Sequence, residues 1–360
     1  MIRSLLILLC ILLLTGCVQK KILDDIQMVT IIGYDVPDED KDGGLIKGIA
    51  VAPQYQPDGK VDNTVFIESA ELSKEIRSQY NSGSSKPIVS GKLEVALFSR
   101  EIAEKDGVIE LVDTLQRDPS IGSRVFLGVA NGEIEEMLST NYGNVDTGTY
   151  FNDILTHNSK HGMLPQTNLH SFLYSYFSEG SDPFLPLLEM DDETVKIIGI
   201  ALLNGDKMVG ELDADSLFTF KILYEKFSSN DSFSVKLGPD KYASIYNIAS
   251  KRKIDYKRAG NGKILITGNI LGVIKEYSGN KLSPEALKEI KETMEKDIEE
   301  RGTKMIKTFQ ELRIDPLSLG NVVRSRTRGE FDRDKWIDEY KDMDISFDMN
   351  VKITESGIIE

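Results

Sequence analysis

Four consecutive residues near the N-terminus, Leu14, Thr15, Gly16 and Cys17, have the types and order needed for covalent attachment of a lipid. The Cys17 thiolate would take a diacylglycerol, while Thr15 and Gly16 are small enough to enter a signal peptidase and Leu14 fills its apolar pocket. The apolar run that ends at Leu14 is ten residues long and follows one basic residue. A membrane-spanning helix needs about 20 apolar residues, whereas a secretory signal has an apolar run of about 7–15. We therefore predict a lipoprotein signal peptide over residues 1–16 and a lipidated mature N-terminus at Cys17; the alternative is a short uncleaved anchor with an incidental cysteine.

Removal of that peptide restricts the chemistry of the mature chain. Cys10 leaves with the signal, so no disulfide, cysteine-based zinc site or free catalytic thiol can form. The formal net charge of −15 would repel phosphate backbones, which argues against a nucleic-acid partner. A mature chain of roughly 340 residues can rely on its core for stability and suggests two or more domains.

The three histidines of the chain, His157, His161 and His170, lie close together in sequence. His157 and His161 are four residues apart, so on a helix they would share one face and could in principle bind a metal ion. No cysteine or carboxylate completes a recognisable ligand set around them. We favour an exposed helix face over a metal site and predict no metal or cofactor.

Catalytic motifs are also missing from the sequence. It contains no G-x-S-x-G nucleophile turn, no G-x-x-x-x-G-K-[ST] phosphate loop and no G-x-G-x-x-G segment after a strand. The adjacent acidic residues Asp24-Asp25 and Asp191-Asp192-Glu193 are typical of solvated loops. The basic stretch RSRTRG, residues 324–329, is interpreted as a solvated helix end, with contact to an acidic partner or lipid head group as the alternative. We predict no catalytic residue.

The hydrophobic pattern divides the chain into segments with different secondary structure. After a lipidated tether over residues 17–26, alternating strands and helices predict an α/β domain over residues 27–145. Residues 146–190 favour a mostly helical connecting subdomain. Residues 191–360 contain long strands and one long helix, which predict a C-terminal α+β domain. The expected fold class is therefore α+β, with several mixed domains and largely antiparallel sheets.

Several local signals make this expectation specific. Asn204-Gly205 between two apolar runs predicts a type I′ hairpin turn. Asp106 is expected to cap a helix over residues 106–118, and Ser283 with Pro284 to begin a long helix that bends at Gly302. Near the C-terminus five apolar residues alternate with polar ones and predict a strand with one buried face: Ile345, Phe347, Met349, Val351 and Ile353.

Taken in order, these segments resemble the Ger(x)C family, the lipoprotein C subunits of spore germinant receptors. The likeness covers about 330 residues, and its order and spacing are more specific than any single motif. The segments that carry it are TGC with MVTIIGYDV, the block from SGKLEVALFS to VFLGVANG, the hairpin IIGIALLNGDKMVGEL, residues 270–316 with their closing Asp-Pro, and Trp336 with the final strand ending at Gly357.

The resemblance implies a role in nutrient-triggered spore germination without enzymatic activity. It implies a three-domain fold of mixed α/β domains, a palmitate-type lipid anchor at Cys17, and a position on the outer face of the spore inner membrane. It further implies assembly with integral A-type and B-type membrane subunits, to which ligand recognition is mainly attributed. No germinant pocket is therefore assigned to this chain.

Two other classes of protein share some of these features. A substrate-binding lipoprotein of an ABC importer has a similar anchor and size, but it should show two similar lobes with repeated βαβ units. The antiparallel pattern after Lys241 argues against such lobes. A lipid-anchored hydrolase would need a nucleophile or metal constellation, for which the sequence offers no candidate.

Overall fold

The computed structural model describes residues 25–37, 45–229, 232–257, 262–279, 282–327 and 329–355. The predicted lipidation residue Cys17 and the recognition residues Leu14, Thr15 and Gly16 lie outside these ranges. The described strands are β1 Gln27–Met28, β2 Ile31–Asp35, β3 Ile46–Tyr55, β4 Val61–Ala70, β5 Ile88–Val89, β6 Val95–Ser99, β7 Phe126–Asn131, β8 Phe184–Asp191, β9 Thr194–Asn204, β10 Lys207–Asp213, β11 Phe227–Ser229, β12 Phe233–Gly238, β13 Lys241–Lys257, β14 Lys263–Tyr277 and β15 Asp344–Glu355. The described helices are α1 Ser73–Gly83, α2 Arg100–Lys105, α3 Ile109–Gln116, α4 Ile134–Ser139, α5 Thr147–Lys160, α6 Leu169–Tyr176, α7 Ala214–Tyr224, α8 Pro284–Leu312, α9 Leu319–Arg326 and α10 Arg333–Lys341.

An eight-stranded sheet organises the first two thirds of the chain, in the order β10-β9-β8-β7-β6-β2-β3-β4. Its central strands β2, β6, β7 and β8 run parallel, and its outer pairs are antiparallel. Every residue of β6 is buried. Val95 and Leu97 pack into one apolar cluster and Ala96 and Phe98 into another, because successive side chains of a strand point to opposite faces. The sheet therefore has a core on each side.

This sheet extends across residue 190, where the sequence pattern changes. The helices α5 and α6 occupy the segment predicted to be mostly helical, but β8 at its end pairs with β7 on one side and β9 on the other. The predicted boundary at 190/191 therefore falls at the turn of a hairpin inside one sheet. The division of the chain into three domains remains a prediction.

A second sheet, β11-β13-β14-β15 with β12 also paired to β13, forms the C-terminal part. The α+β class with largely antiparallel sheets is confirmed, although β15 pairs in parallel with β14. The predicted alternation in β15 is also confirmed: Met349 and Val351 are buried, while the intervening polar residues are exposed. The long helix α8 packs against this strand, and the carboxylates of Glu299 and Glu295 accept hydrogen bonds from the backbone N–H groups of Met349 and Val351 at 3.0 and 2.8 Å. These carboxylates cover part of the edge that β15 would otherwise leave unpaired.

Three predicted signals for helix and turn positions have different outcomes. The Ser283 hydroxyl accepts a hydrogen bond from the Ala286 N–H, so the predicted start of α8 is confirmed. The helix continues through Gly302 to Leu312. Gly302 is buried, and a Cβ there would lie 3.1 Å from the Phe347 ring, so the small residue serves close packing.

The other two signals were correct for the element but wrong in position: the hairpin between β9 and β10 and the helix α3 are both present. The two-residue turn between β9 and β10 is Gly205-Asp206 rather than Asn204-Gly205, and of these two only Gly205 has a positive φ. Asp106 ends α2 instead of beginning α3. Asp206 takes the capping role, because its carboxylate accepts a hydrogen bond from the N–H of Ile109 at 3.3 Å. The β9–β10 turn therefore supplies the cap of α3, whereas the sequence predicted a cap from the adjacent residue Asp106.

Candidate functional site

The described chain begins beside the connection between α1 and β5. There β1 pairs in parallel with β5, the Gln27 N–H donates to the Pro87 carbonyl at 2.9 Å, and the Ser84 hydroxyl donates to the Gln27 side chain at 2.9 Å. The first described residues are therefore paired at this corner of the fold. In the described part of the chain, no helix is long and apolar enough to cross a membrane.

The three histidines are all exposed. His157 lies in the last turn of α5 and His161 follows as its C-cap, with ring centroids 5.6 Å apart. His170 lies at the start of α6 and is separate in sequence from this pair. Among the described residues, no group of three or more His, Cys, Asp or Glu side chains is arranged to hold a metal ion.

The charged stretches named in the sequence analysis lie on the surface where the structure describes them. Asp191 pairs with Lys196 across the β8–β9 hairpin, and Asp192 occupies the turn with a φ of 53°. Arg324 and Arg326 of the basic stretch are exposed at the C-terminal end of α9, which agrees with the favoured interpretation. Arg324 is 3.7 Å from a carboxylate oxygen of Glu179, and Arg326 donates to a backbone carbonyl at 2.9 Å.

A group of polar side chains with two buried carboxylates lies elsewhere, where the eight-stranded sheet meets the C-terminal helices. We call Asp182, Asp315, Arg333 and Trp336 the carboxylate junction. Asp182 immediately precedes the segment leading into β8, and its side chain is fully buried. Its two carboxylate oxygens accept hydrogen bonds from Arg333 at 2.6 Å, the backbone N–H of Asp315 at 2.8 Å and that of Gly205 at 3.2 Å.

Asp315, the second carboxylate of the junction, follows α8 and caps α9. Its oxygens accept hydrogen bonds from the N–H groups of Leu319 at 3.0 Å and Gly320 at 2.6 Å, and from the Trp336 indole at 3.1 Å. Complete burial raises the pKa of Asp315 to about 7; the backbone donors oppose this shift, and the neighbouring Asp182 adds to it. Burial likewise raises the pKa of the Tyr340 hydroxyl, which lies near both carboxylates.

Two glycines allow the backbones at the junction to approach each other. A Cβ on Gly320 would lie 2.6 Å from the Trp336 indole nitrogen and 2.7 Å from the Cα of Gly180. A Cβ on Gly180 would lie 2.5 Å from the backbone nitrogen of Asn321. The Asn321 N–H donates to the Gly180 carbonyl at 3.1 Å, so this close contact is also a hydrogen bond.

The carboxylate junction has a structural role: its hydrogen bonds connect distant segments of the chain. Both carboxylates have their oxygens occupied by N–H donors, and Arg333 neutralises Asp182. These bonds join the segment before β8, the β9–β10 turn, the α8–α9 connection and α10. Partners up to 152 residues apart in sequence are thereby fixed relative to one another. The arrangement favours a rigid body that holds its surfaces in a set relation, not a reaction centre.

Sequence reasoning noted the Asp-Pro at 315 and Trp336 without assigning them a contact, and it did not identify Asp182 or Arg333. A second buried charge, Lys221, was also missed. Its side chain is 1% exposed and donates to the carbonyls of Ser159, Gly162 and Leu164 at 2.9, 2.8 and 2.9 Å. The available signal was a lone lysine inside the apolar helix sequence LFTFKILY. Such a residue needs partners if the helix is buried on all sides.

Comparisons with known proteins agree over nearly the whole chain. Residues 19–190 match the family described as spore germination protein N-terminal domain, and residues 198–357 match the family described as spore germination B3/GerAC like, C-terminal. The division between the two matches falls at the β8–β9 hairpin. The chain is 30% identical over 365 residues to spore germination protein GerQC of Bacillus cereus, covering 99% of both chains. It also shares its fold with the crystal structure of the GerBC protein, at a TM-score of 0.57 and 15% identity, covering 89% of this chain and 97% of that one.

Proposed function

Because this chain belongs to the GerAC-like family of spore germination proteins, we propose that it is the lipid-anchored C subunit of a nutrient germinant receptor. The observation that carries the proposal is the match to both family domains over residues 19–357, together with a near full-length relative at 30% identity. In this role the chain has no enzymatic activity. It acts through its surfaces, and the carboxylate junction keeps those surfaces in a fixed relation.

The lipid on Cys17 is the membrane attachment in this proposal. It holds the folded body at the outer face of the spore inner membrane through the tether that ends at β1. The partners are integral A-type and B-type subunits. Confinement to the membrane raises the effective concentration of such partners, so a modest interface suffices for assembly.

The importer alternative lacks a supporting observation. A substrate-binding lipoprotein of that kind was expected to show two similar doubly wound lobes. The described part of the chain instead has one eight-stranded sheet of mixed direction and one five-stranded sheet of different strand order. This architecture, with the family match, favours the receptor role.

The receptor role is tested by deleting the gene and measuring spore germination. We expect the response to one class of nutrient to be lost, while germination induced by dodecylamine, which needs no nutrient receptor, is retained. Purification of the tagged chain from spore inner membrane should recover A-type and B-type subunits. Loss of solute uptake with every nutrient response intact would refute the proposal in favour of the importer alternative.

Cys17→Ala separates anchoring from folding in the same assay. The substitution should reduce both membrane retention and recovery of the partner subunits. Cys10 offers a matched control, because Cys10→Ala removes a cysteine from the predicted signal peptide and should leave both readouts unchanged. Equal recovery of partners from the Cys17→Ala and Cys10→Ala strains would show that the anchor has no role in assembly.

A further inference from the structure

A cavity of about 450 Å³ lies between α1, α3 and one face of the eight-stranded sheet. Its size is within the range of small-molecule sites, which runs from about 300 to 1,000 Å³. The strands β2 and β3 form its floor, and β5 closes one end. The segment after β1 also contributes to the wall, so the cavity lies beside the corner where the described chain begins.

The interior of the cavity is mainly apolar. The wall residues Ile76, Ile88 and Leu115 are buried, with exposed fractions of 1%, 4% and 4%. Tyr34 and Tyr80 add two aromatic rings to the wall. Such a surface favours the apolar body of a ligand over water.

One face of α1 supplies polar groups to the same cavity. Ser73, Ile76, Arg77 and Tyr80 recur at helical spacing and all line it. The Tyr80 side chain is 3% exposed, and its hydroxyl has no hydrogen-bond partner among the described residues. Burial raises the pKa of this hydroxyl, so it remains protonated and can donate. This hydroxyl lies against the backbone of β3, since a Cβ on Gly48 would come within 2.6 Å of it, and Gly48 does not line the cavity. The polar groups that α1 offers to a ligand are therefore Ser73, Lys74 and Arg77.

The rim of the cavity is basic although the whole protein is acidic. Lys74, Arg77 and Arg117 line it together with a single carboxylate, Asp118. Asp118 pairs with Arg77, and Arg117 pairs with Asp113 at 2.6 Å. Partial burial alone would raise the pKa of Asp118, but hydrogen bonds from Ser120 and the contact with Arg77 hold it below its ordinary value. Lys74 is exposed and forms no ion pair within the described ranges. Positive charge at an apolar opening attracts anions.

We propose that this α1–α3 cavity binds a small amphiphilic anion, with its apolar body against the sheet and its carboxylate or phosphate oxygens facing the donors of α1. The apolar wall and the cationic rim both fit this one ligand class. A free amphiphile and a membrane lipid share this chemistry. The proposal does not rest on the receptor role, because binding can be measured on the isolated chain.

The test uses a chain beginning at Val18, which contains every described residue, and titration calorimetry with decanoate below its micelle concentration. Decanol serves as the neutral probe of matched length. We expect one decanoate site and at least about tenfold weaker binding of decanol, because only the anion can use the basic rim. Equal affinity for the two probes would overturn the assignment of an anion site.

Two variants locate the binding. Ser90→Phe places a ring on the half-buried wall and should abolish binding of both probes, and Lys74→Glu should weaken decanoate about tenfold while leaving decanol unchanged. Lys304→Glu is the matched control, since this exposed helical lysine does not line the cavity. Circular dichroism and the unfolding midpoint establish that each variant is folded.

Vesicles distinguish the two sources of the ligand. Co-sedimentation with phosphatidylglycerol vesicles that is lost in Ser90→Phe would identify a membrane lipid as the ligand. Decanoate binding without co-sedimentation would identify a free amphiphile. Two results would refute the proposal. One is a folded Ser90→Phe variant that binds decanoate as well as the parent chain does. The other is a parent chain that binds neither decanoate nor vesicles.

Discussion

Replacing Asp315 with asparagine should change how stability depends on pH. In the folded chain burial raises the pKa of this carboxyl to about 7, whereas its ordinary value is 3.8. The folded state therefore holds a proton between about pH 4 and pH 7 that the unfolded state has released. Its contribution to the free energy of unfolding is fully present below about pH 4 and is lost as the pH rises through 7.

The size of this loss of stability follows from the pKa shift of Asp315 and from its hydrogen bonds. A shift of about three pKa units corresponds to roughly 4 kcal/mol across this window. Asp315→Asn abolishes this titration. Its amide N–H₂ and the protonated carboxyl of the parent chain each direct a hydrogen toward the three N–H donors, so the cost of about 1–3 kcal/mol applies to both. The stability of the parent chain relative to the variant should therefore fall by roughly 3 kcal/mol between pH 5 and pH 8.

Urea unfolding at pH 5, 6, 7 and 8 measures this difference directly. The chain beginning at Val18 avoids detergent, and Asp334→Asn provides a control at an exposed carboxylate on the neighbouring helix α10. We expect Asp334→Asn to follow the pH dependence of the parent chain. If Asp315→Asn also follows it, Asp315 does not titrate in this window and the reasoning from burial is refuted.

Three further substitutions or measurements test other parts of the structure. Phe347→Ala should lower the free energy of unfolding by about 2 kcal/mol. This is less than the roughly 3–5 kcal/mol typical of a fully buried phenylalanine, because the Phe347 ring is half-buried against Gly302. An unchanged urea midpoint would contradict this packing. Lys221→Met should cost about 2–4 kcal/mol by leaving three backbone carbonyls without their donor. The exposed Lys226→Met serves as control, and equal urea midpoints for the two variants would show that these hydrogen bonds do not stabilise the fold. Mass spectrometry should find a diacylglyceryl group on the mature N-terminus at Cys17, and an unmodified N-terminus at another residue with membrane attachment intact would refute the predicted lipidation.

The sequence by itself determined the features that depend on neighbouring residues. The alternation from Ile345 to Ile353 predicted a half-buried strand because side chains of a strand point to alternate faces. Ser283 and Pro284 predicted the start of α8 because both act within the first turn. The Ser283 hydroxyl accepts a hydrogen bond from a backbone N–H of that turn, and Pro284 lacks an N–H that would otherwise have no partner. The order and spacing of such segments along the chain also identified the family, without a pairing scheme for the strands.

Only the tertiary structure decided the features that join distant segments. The carboxylate junction places Asp182 beside Asp315, which is 133 residues away, and no local pattern encodes that contact. The cap of α3 comes from Asp206 in a remote turn, and β8 to β10 join the first sheet although the sequence pattern changes at residue 190. Periodicity shows which face of an element is buried, but the partner that covers this face is chosen by packing and by the need to satisfy every buried polar group.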